Sequence, residues 1–394
     1  MSLPDKKCTG CGACFNACPK HAISMRENKD GFAYPSIDMK SCINCGLCEK
    51  VCPAINKPLF YPEANIVYAG WNKDNDTRIV SSSGGIFDPL ARSILSANGV
   101  VYGAAWVESV SDLRHIRVCD EADLVKLRKS KYQQSNIGEV YKLIRTDLAN
   151  NKKVLFSGTP CQVAGLNNFI SDKDKKNLYS LEILCHGVPS KKVIDNYLKM
   201  MEEKHHKRIS RIHFRFKDDK HSWRVSCCCY CCCDDGTVIL DESTLDSIFW
   251  TGFLGNVCLR ECCATCDYAK SERIADITLG DFWGIWEDPT FNVDHTKGVS
   301  LIIPNNDKGR LLLESCKDKI EFCIANKSIA YKHNLTLSQP FAASNKRDYF
   351  FSKLGIIRYD KLIKKCFRRR FLTLQIKRVL GENFSNKVSS MLHR

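Results

Sequence analysis

The sequence predicts a mixed α/β chain in three parts, and three observations predict it. Residues 1–58 hold two copies of one four-cysteine run, each closed by Cys-Pro. From about residue 65 to residue 340, short apolar runs of strand length alternate with helix-length stretches, the order of a covered α/β sheet. Past 341 the pattern fades into basic residues (Lys364, Lys365, Arg368, Arg369, Arg370, Lys377 and Arg378), which read as a helical tail over 341–394.

Composition narrows the class before any motif is weighed. Twenty-four cysteines in 394 residues cannot form a small disulfide scaffold, because such scaffolds are short and secreted. The first seven residues hold no apolar stretch, and no run approaches the roughly 18 apolar residues of a membrane span. These features predict a reducing, cytoplasmic setting in which thiolates are available to metal. The formal charge of +15 treats every cysteine as neutral. A [4Fe–4S] centre sets four thiolates against a core of about +2, so each such centre lowers the total by about 2. The basic tail reads either as a solvated end or as a docking surface for an acidic redox partner or a membrane surface. No nucleic-acid partner is expected.

The first part is the most specific. Cys8-x2-Cys11-x2-Cys14-x3-Cys18-Pro19 is followed by Cys42-x2-Cys45-x2-Cys48-x3-Cys52-Pro53. The x2 spacings let three thiolates of one loop reach three irons of a cubane, while the fourth cysteine points away. Pairing therefore crosses: Cys8, Cys11, Cys14 and Cys52 would hold one [4Fe–4S] cluster, and Cys18, Cys42, Cys45 and Cys48 the other. Gly12 and Gly46 suit backbone wrapped closely around sulfide. Zinc also binds Cys-x2-Cys pairs, but usually as two separated pairs rather than as uninterrupted runs ending in Cys-Pro. This is a bacterial-type dicluster ferredoxin domain, and its clusters pass single electrons without making bonds.

The second part follows a linker at Pro58–Pro62. Residues 66–70 and 100–105 read as buried strands, with a helix over 86–97 between them that Ser83 is placed to cap. Residues 154–157 are a strand, Gly158-Thr159-Pro160 a tight turn, Cys161 to Phe169 a helix, and 180–184 the next strand; this order suggests parallel pairing. Residues 211–240 read as an antiparallel hairpin closed near Asp235-Gly236. Within it, Cys227, Cys228, Cys229, Cys231, Cys232 and Cys233 read as plain strand residues, since a row along one face suits no tetrahedral metal site.

The motifs of residues 66–310 resemble the beta subunits of coenzyme F420-reducing hydrogenases and dehydrogenases, many of which carry a fused N-terminal ferredoxin domain. They stand here as Ser81-Ser82-Ser83-Gly84-Gly85, residues 100–105, Ser130-Lys131-Tyr132-Gln133-Gln134-Ser135 and residues 156–166 around Gly158-Thr159-Pro160-Cys161. Cys185-His186-Gly187-Val188-Pro189-Ser190, Cys258-Leu259-Arg260, Cys263-x2-Cys266 and residues 276–284 around Gly280-Asp281-Phe282 follow. The resemblance implies a flavin, FAD, beside a third [4Fe–4S] cluster, and an oxidoreductase whose two-electron partner is coenzyme F420 or another small organic molecule.

Cys161, Cys185, Cys258, Cys263 and Cys266 compete for the four places of that implied cluster; singly, each also reads as a small buried hydrophobe. Glu261-Cys262 stands where relatives tend to have Pro-Ser, which makes Cys262 one more competing thiol. Ser82, Ser83, Gly84 and Gly85 open a helix and suit either a phosphate or an ordinary cap. Lys131 suits a phosphate or flavin carbonyls, or is an exposed lysine. Gly158, Thr159 and Pro160, with Gly280, Asp281 and Phe282, would let backbone approach the isoalloxazine ring. In this reading a hydride passes between substrate and flavin, and single electrons pass onward through the clusters to a redox partner. One rival is an electron-transfer subunit without a substrate. The other is a cysteine hydrolase or amidotransferase built on Cys161 and His186, which leaves the dicluster domain without a use.

Overall fold

The structure, a computed structural model, describes residues 3–218, 222–223, 229–241 and 247–373. The chain opens with α1 (Ala13–Ala17), the antiparallel hairpin of β1 (Ile23–Glu27) and β2 (Ala33–Ile37), and α2 (Leu47–Lys50). There follow β3 (Val67–Asn72), α3 (Asn75–Val80), α4 (Phe87–Ser96), β4 (Val100–Trp106), β5 (Leu113–Val118), α5 (Leu124–Leu127) and α6 (Val140–Ala149). Next come β6 (Val154–Gly158), α7 (Pro160–Phe169), β7 (Leu178–Ile183), α8 (Lys191–His205), β8 (Ile209–His213), β9 (Cys229–Cys233), β10 (Val238–Asp241) and α9 (Ile248–Leu254). The last elements are β11 (Ile277–Asp281), β12 (Ser300–Pro304), α10 (Asp307–Glu314), β13 (Ile320–Ala325), α11 (Lys327–His333), α12 (Arg347–Lys353) and α13 (Tyr359–Cys366).

Eight strands form one mixed sheet in the order β13-β3-β12-β11-β7-β6-β4-β5. Its centre is parallel: β4 pairs with β6, β6 with β7, and β7 with β11. The flanks are antiparallel. Side chains alternate across the parallel strands, and that alternation divides the core. Leu155 and Val101 face α4 and α10 on one side, whereas Val154, Phe156 and Tyr102 face α6 and α7 on the other. The turns leaving β6, β7 and β11 all emerge at the carboxyl edge of the sheet, where open α/β folds bind their ligands.

The ferredoxin segment is docked on the α6–α7 face. Gly12 and Gly46 take left-handed φ angles of 74° and 72° at the starts of α1 and α2, one in each copy of the repeat. Ala13 and Val51 are buried in the same apolar cluster as Val163 and Tyr141. Gly165 of α7 lies so close to the segment that a β-carbon there would sit 2.9 Å from Cys11 Sγ. Gln134 Nε2 donates to Thr9 O at 2.8 Å, and Asn16 Nδ2 donates to Gly138 O at 2.8 Å. Ser190 Oγ donates to Asp30 O at 2.7 Å, and Arg347 Nη2 ion-pairs with Asp30 at 3.3 Å.

Four local expectations change in detail. Ser83 does not cap α4: that helix begins after Ile86 without a side-chain cap, and Ser83 Oγ donates to Val299 O at 2.9 Å instead. Residues 58–62 are no free linker, because Tyr61 bridges Arg273 through two backbone hydrogen bonds and Phe60 stacks on Tyr268. The hairpin of β9 and β10 gains β8 as a third strand, with Cys229, Cys231 and Cys233 buried together on one face. Cys227 and Cys228 lie outside the described residues. Residues 347–353 and 359–366 are helical but do not form a peripheral tail. Phe350, Phe351, Leu354, Tyr359, Leu362 and Ile363 are buried with Tyr197, Phe249 and Trp250 in a second core under α8 and α9. The basic residues Lys377 and Arg378 lie outside the described residues.

Candidate metal centre

Three groups of thiols line three cavities. Cys18, Cys42, Cys45 and Cys48 line one of about 310 Å³ with Ile23, Ile37 and Leu47. Cys45 is exposed, so this pocket is the outer one. Cys8, Cys11, Cys14 and Cys52 line a second, of about 350 Å³, on the side that packs against α7. Each pocket takes three cysteines from one run and the fourth from the other.

The third cavity is the largest, at about 1290 Å³, and opens at the carboxyl ends of β6 and β7. Cys161 stands at the start of α7 and Cys185 two residues beyond β7; Cys263 and Cys266 approach from the 261–266 turn. Cys262 also lines this cavity, and Lys7, Thr9 and Ala54 bring the ferredoxin segment to its wall. Cys258 is not brought there. It is fully buried in the core under α8 and α9, where it packs as a small apolar side chain.

Local structure explains why these thiols are held. Thr159 and Gln162 form a reciprocal capping box at the start of α7, with Thr159 N donating to Gln162 Oε1 at 3.0 Å and Pro160 in the first turn. Gln162 Nε2 donates to Ser135 Oγ at 2.9 Å, and Ser135 Oγ meets His115 Nδ1 at 3.0 Å. His115 Nε2 lies 3.0 Å from Ser157 O, so it carries the proton and Ser135 donates to Nδ1. This chain of bonds fixes the turn that presents Cys161, whose Sγ lies 3.2 Å from Thr159 Oγ1. On the other wall, Arg273 bonds Tyr268 O and Lys270 O and is neutralised by the fully buried Glu182, so the 266–273 loop is pinned to the sheet.

Burial pushes the Cys161 thiol up to about 11 and those of Cys14 and Cys266 up to about 12. Cys11 and Cys185 rise for the same reason, and Cys262 rises through its bond to Cys263 and through burial. Crowded thiols without enough nearby cations suit a cationic core that takes them as thiolates. Among the described residues, no three His, Cys, Asp or Glu side chains converge where a single ion could sit. Cys161 and His186 line the same cavity, but His186 Nε2 engages Asn256 Oδ1 at 2.7 Å and burial raises the Cys161 thiol, which disfavours the thiolate a nucleophile needs.

The residues named for a flavin fall into two places along the same edge. Gly84 N donates to Ser300 Oγ at 3.0 Å, and Ser300 pairs with Asp281, so Ser81–Gly85 and Gly280–Phe282 are neighbours. Ser82 Oγ accepts from Ser130 N at 2.7 Å, which brings in the Lys131 segment. Gly158 and Thr159 lie two strands away, about 10 Å by strand spacing, and of that turn Pro160 lines the thiol cavity. Lys131 is half-buried rather than exposed, and its Nζ donates to Lys126 O, Leu127 O and Arg128 O at the end of α5. Phe282 is fully buried in the core beneath β3 and β12.

Two cations that sequence reading passed over occupy this second place. Arg78 donates to Gly298 O and Asp294 O, and Lys217 donates to Arg78 O, Ser83 O and Lys297 O. Burial lowers Arg78 to about 10; burial, with Arg215, Arg78 and Lys129 nearby, lowers Lys217 to about 7 against the pull of Asp281. Asp281 is already engaged by Arg215 Nη1 and Trp223 Nε1, each at 2.8 Å. The alternation His213-Phe214-Arg215-Phe216-Lys217 was the available signal, since it sets charged side chains on one face of an extended segment. A surplus of buried positive charge beside Ser81–Gly85 fits the phosphates of a dinucleotide.

Residues 151–328 match the family model for the C terminus of the coenzyme F420 hydrogenase/dehydrogenase beta subunit, and residues 7–55 match the 4Fe-4S dicluster domain. No curated protein matches the chain. A solved chain of the F420-reducing [NiFe] hydrogenase complex from Methanosarcina barkeri, in a xenon-derivatised form, is similar at 14% identity and a TM-score of 0.47. The match covers 82% of this chain and 94% of that one.

Proposed function

Because this chain belongs to the coenzyme F420 hydrogenase/dehydrogenase beta subunit family and carries a 4Fe-4S dicluster domain, we propose that it is a flavin-dependent iron–sulfur oxidoreductase. It would join a small organic two-electron substrate, a deazaflavin such as coenzyme F420 or another, to a single-electron protein partner. The observation that carries this reading is the cavity at the carboxyl ends of β6 and β7. Cys161, Cys185, Cys263 and Cys266 line it, and it reaches the ferredoxin segment on one side. When bound, the clusters supply single-electron transfer and the flavin supplies its coupling to hydride.

The chain's own residues do the rest. Cys8, Cys11, Cys14 and Cys52 would hold the inner cluster, Cys18, Cys42, Cys45 and Cys48 the outer one, and four of the five cysteines lining the large cavity (Cys161, Cys185, Cys262, Cys263 and Cys266) the third. Arg78 and Lys217 would bind the flavin's phosphates beside Ser83 and Gly84, whose backbone Lys217 already orients. Arg273 and Glu182, both buried, hold the cavity wall against the sheet. The exposed Cys45 makes the outer pocket the port at which a partner meets the chain.

Anaerobic purification followed by iron, sulfide and flavin quantification tests this. Three cubanes correspond to roughly 12 iron atoms per chain, with one flavin. A count near eight removes the third cluster. Absence of releasable flavin alongside full iron makes the chain an electron carrier without a substrate.

A further inference from the structure

We propose that Arg260 is the electrostatic bridge between the inner cysteine pocket and the large cavity, a positioning residue that raises the reduction potentials on both sides. This rests on the reading that both sites hold clusters.

Arg260 is 1% exposed. Its Nε donates to Cys8 O at 2.8 Å, its Nη1 to Gln134 Oε1 at 2.8 Å and its Nη2 to Ala33 O at 3.0 Å. All three acceptors are neutral, and its plane lies over Tyr34 at 4.2 Å from the ring centre. Among the described residues no carboxylate ion-pairs with it, in contrast to Arg273, which lines the same cavity and is neutralised by Glu182. A guanidinium buried without a counter-ion is strongly disfavoured unless anionic charge lies close by. The anionic charge available is that of the two thiolate-held sites, about −2 each.

The position fits that role on both sides. Through Cys8 O the guanidinium touches a backbone carbonyl of the inner pocket, and the same side chain lines the large cavity with Cys161, Cys262 and Cys263. Gly10 makes the approach feasible: a β-carbon there would sit 2.8 Å from Arg260 Nη1 and 2.7 Å from Gln134 Nε2. A fixed positive charge favours the more negative, reduced form of each neighbouring centre. Because it acts on both at once, it shifts the two together, so reduction of either centre becomes easier without widening the gap between them.

The test is an EPR-monitored redox titration of anaerobically prepared, cluster-loaded protein. Arg260→Gln should lower the midpoint potentials of the inner and third couples by about tenfold in the reduced-to-oxidised ratio at fixed poise, 59 mV for a one-electron change. The outer couple, held by Cys18, Cys42, Cys45 and Cys48, should move less. Gln134→Glu keeps the guanidinium in place, sets a carboxylate on Nη1 and should shift the same two couples in the same direction. Unchanged potentials at native iron content overturn the proposal, as does an equal shift of all three couples. If Arg260→Gln loses iron, Gln134→Glu decides; loss of iron there as well makes Arg260 a packing residue and overturns the proposal. A wild-type protein with no third couple instead refutes the underlying cluster reading.

Discussion

His115 is buried against Phe156, with its Nε2 proton committed to Ser157 O and its Nδ1 to Ser135. Burial holds it down to about 4, so it is neutral in the folded chain over a range where the unfolded chain takes a proton. Between pH 6.5 and 4 the unfolded state binds more protons, and stability must fall as pH drops through that window. The loss is roughly 3 kcal/mol from this residue alone. His115→Gln should flatten the pH dependence of thermal unfolding between those limits; an unchanged slope refutes the assignment. Among the cysteines, burial alone does not identify a ligand, because Cys258 is as buried as Cys185 is crowded. Cys185→Ala should cost about four iron atoms per chain, whereas Cys258→Ala should keep its full iron and lose about 1 kcal/mol of stability. Colorimetric iron analysis and thermal melts separate the two. Sequence reading held both residues as equal candidates because spacing gives chain distance and not direction. The fold separates them by giving one to the sheet edge and the other to the core beneath α8.

The helix α7 carries two duties, presenting Cys161 at its first turn and receiving the ferredoxin segment along its flank. Gly165 serves the second. Alanine is intrinsically better than glycine in a helix by about 1 kcal/mol, so Gly165→Ala would stabilise an isolated α7. Here the new methyl meets Cys11 Sγ at 2.9 Å and Tyr141 Oη at 3.2 Å, and the clash decides the sign. The variant should lose about 1–3 kcal/mol and release iron preferentially from the inner pocket. A melt at or above the wild-type temperature with full iron would show that the segment is not seated there. The elements legible in the sequence were those with strong local periods or turn chemistry: β4, β6, β7, the Gly158–Pro160 turn and the two cysteine runs. α12 and α13 read as a mere tail because their buried aromatics, Phe350, Phe351 and Tyr359, are interspersed with the lysines and arginines that dominate composition there.

The whole molecule divides its charge unevenly, and the excess of +15 is not all on the surface. Lys217, 6% exposed, has a folded value near 7 against an unfolded value near 10.5. Between these limits the unfolded chain binds more protons, so the protein without a bound anion should grow more stable as pH rises from 7 toward 10, by several kcal/mol. An anionic ligand in the cradle holds Lys217 protonated and removes that gain. Thermal melts at pH 7 and 9, with and without pyrophosphate, check this: pyrophosphate should raise the melting temperature at pH 7 and much less at pH 9. The alternation of residues 213–217 hinted at the charges, but the cradle was not legible in the sequence, because Arg78 and Ser83 meet Lys217 from 134 or more residues away along the chain. The Arg347–Asp30 ion pair has a consequence for biosynthesis. It joins residues 317 positions apart, and Arg347 Nε also donates to Leu259 O, beside the turn that carries Cys262 and Cys263. This last tether therefore closes only after α12 has been made, later than the contacts with Gln134, Gly138 and Ser190. A nascent chain stalled before α12 lacks this tether and should leave its N-terminal segment more open to limited proteolysis than the finished chain does.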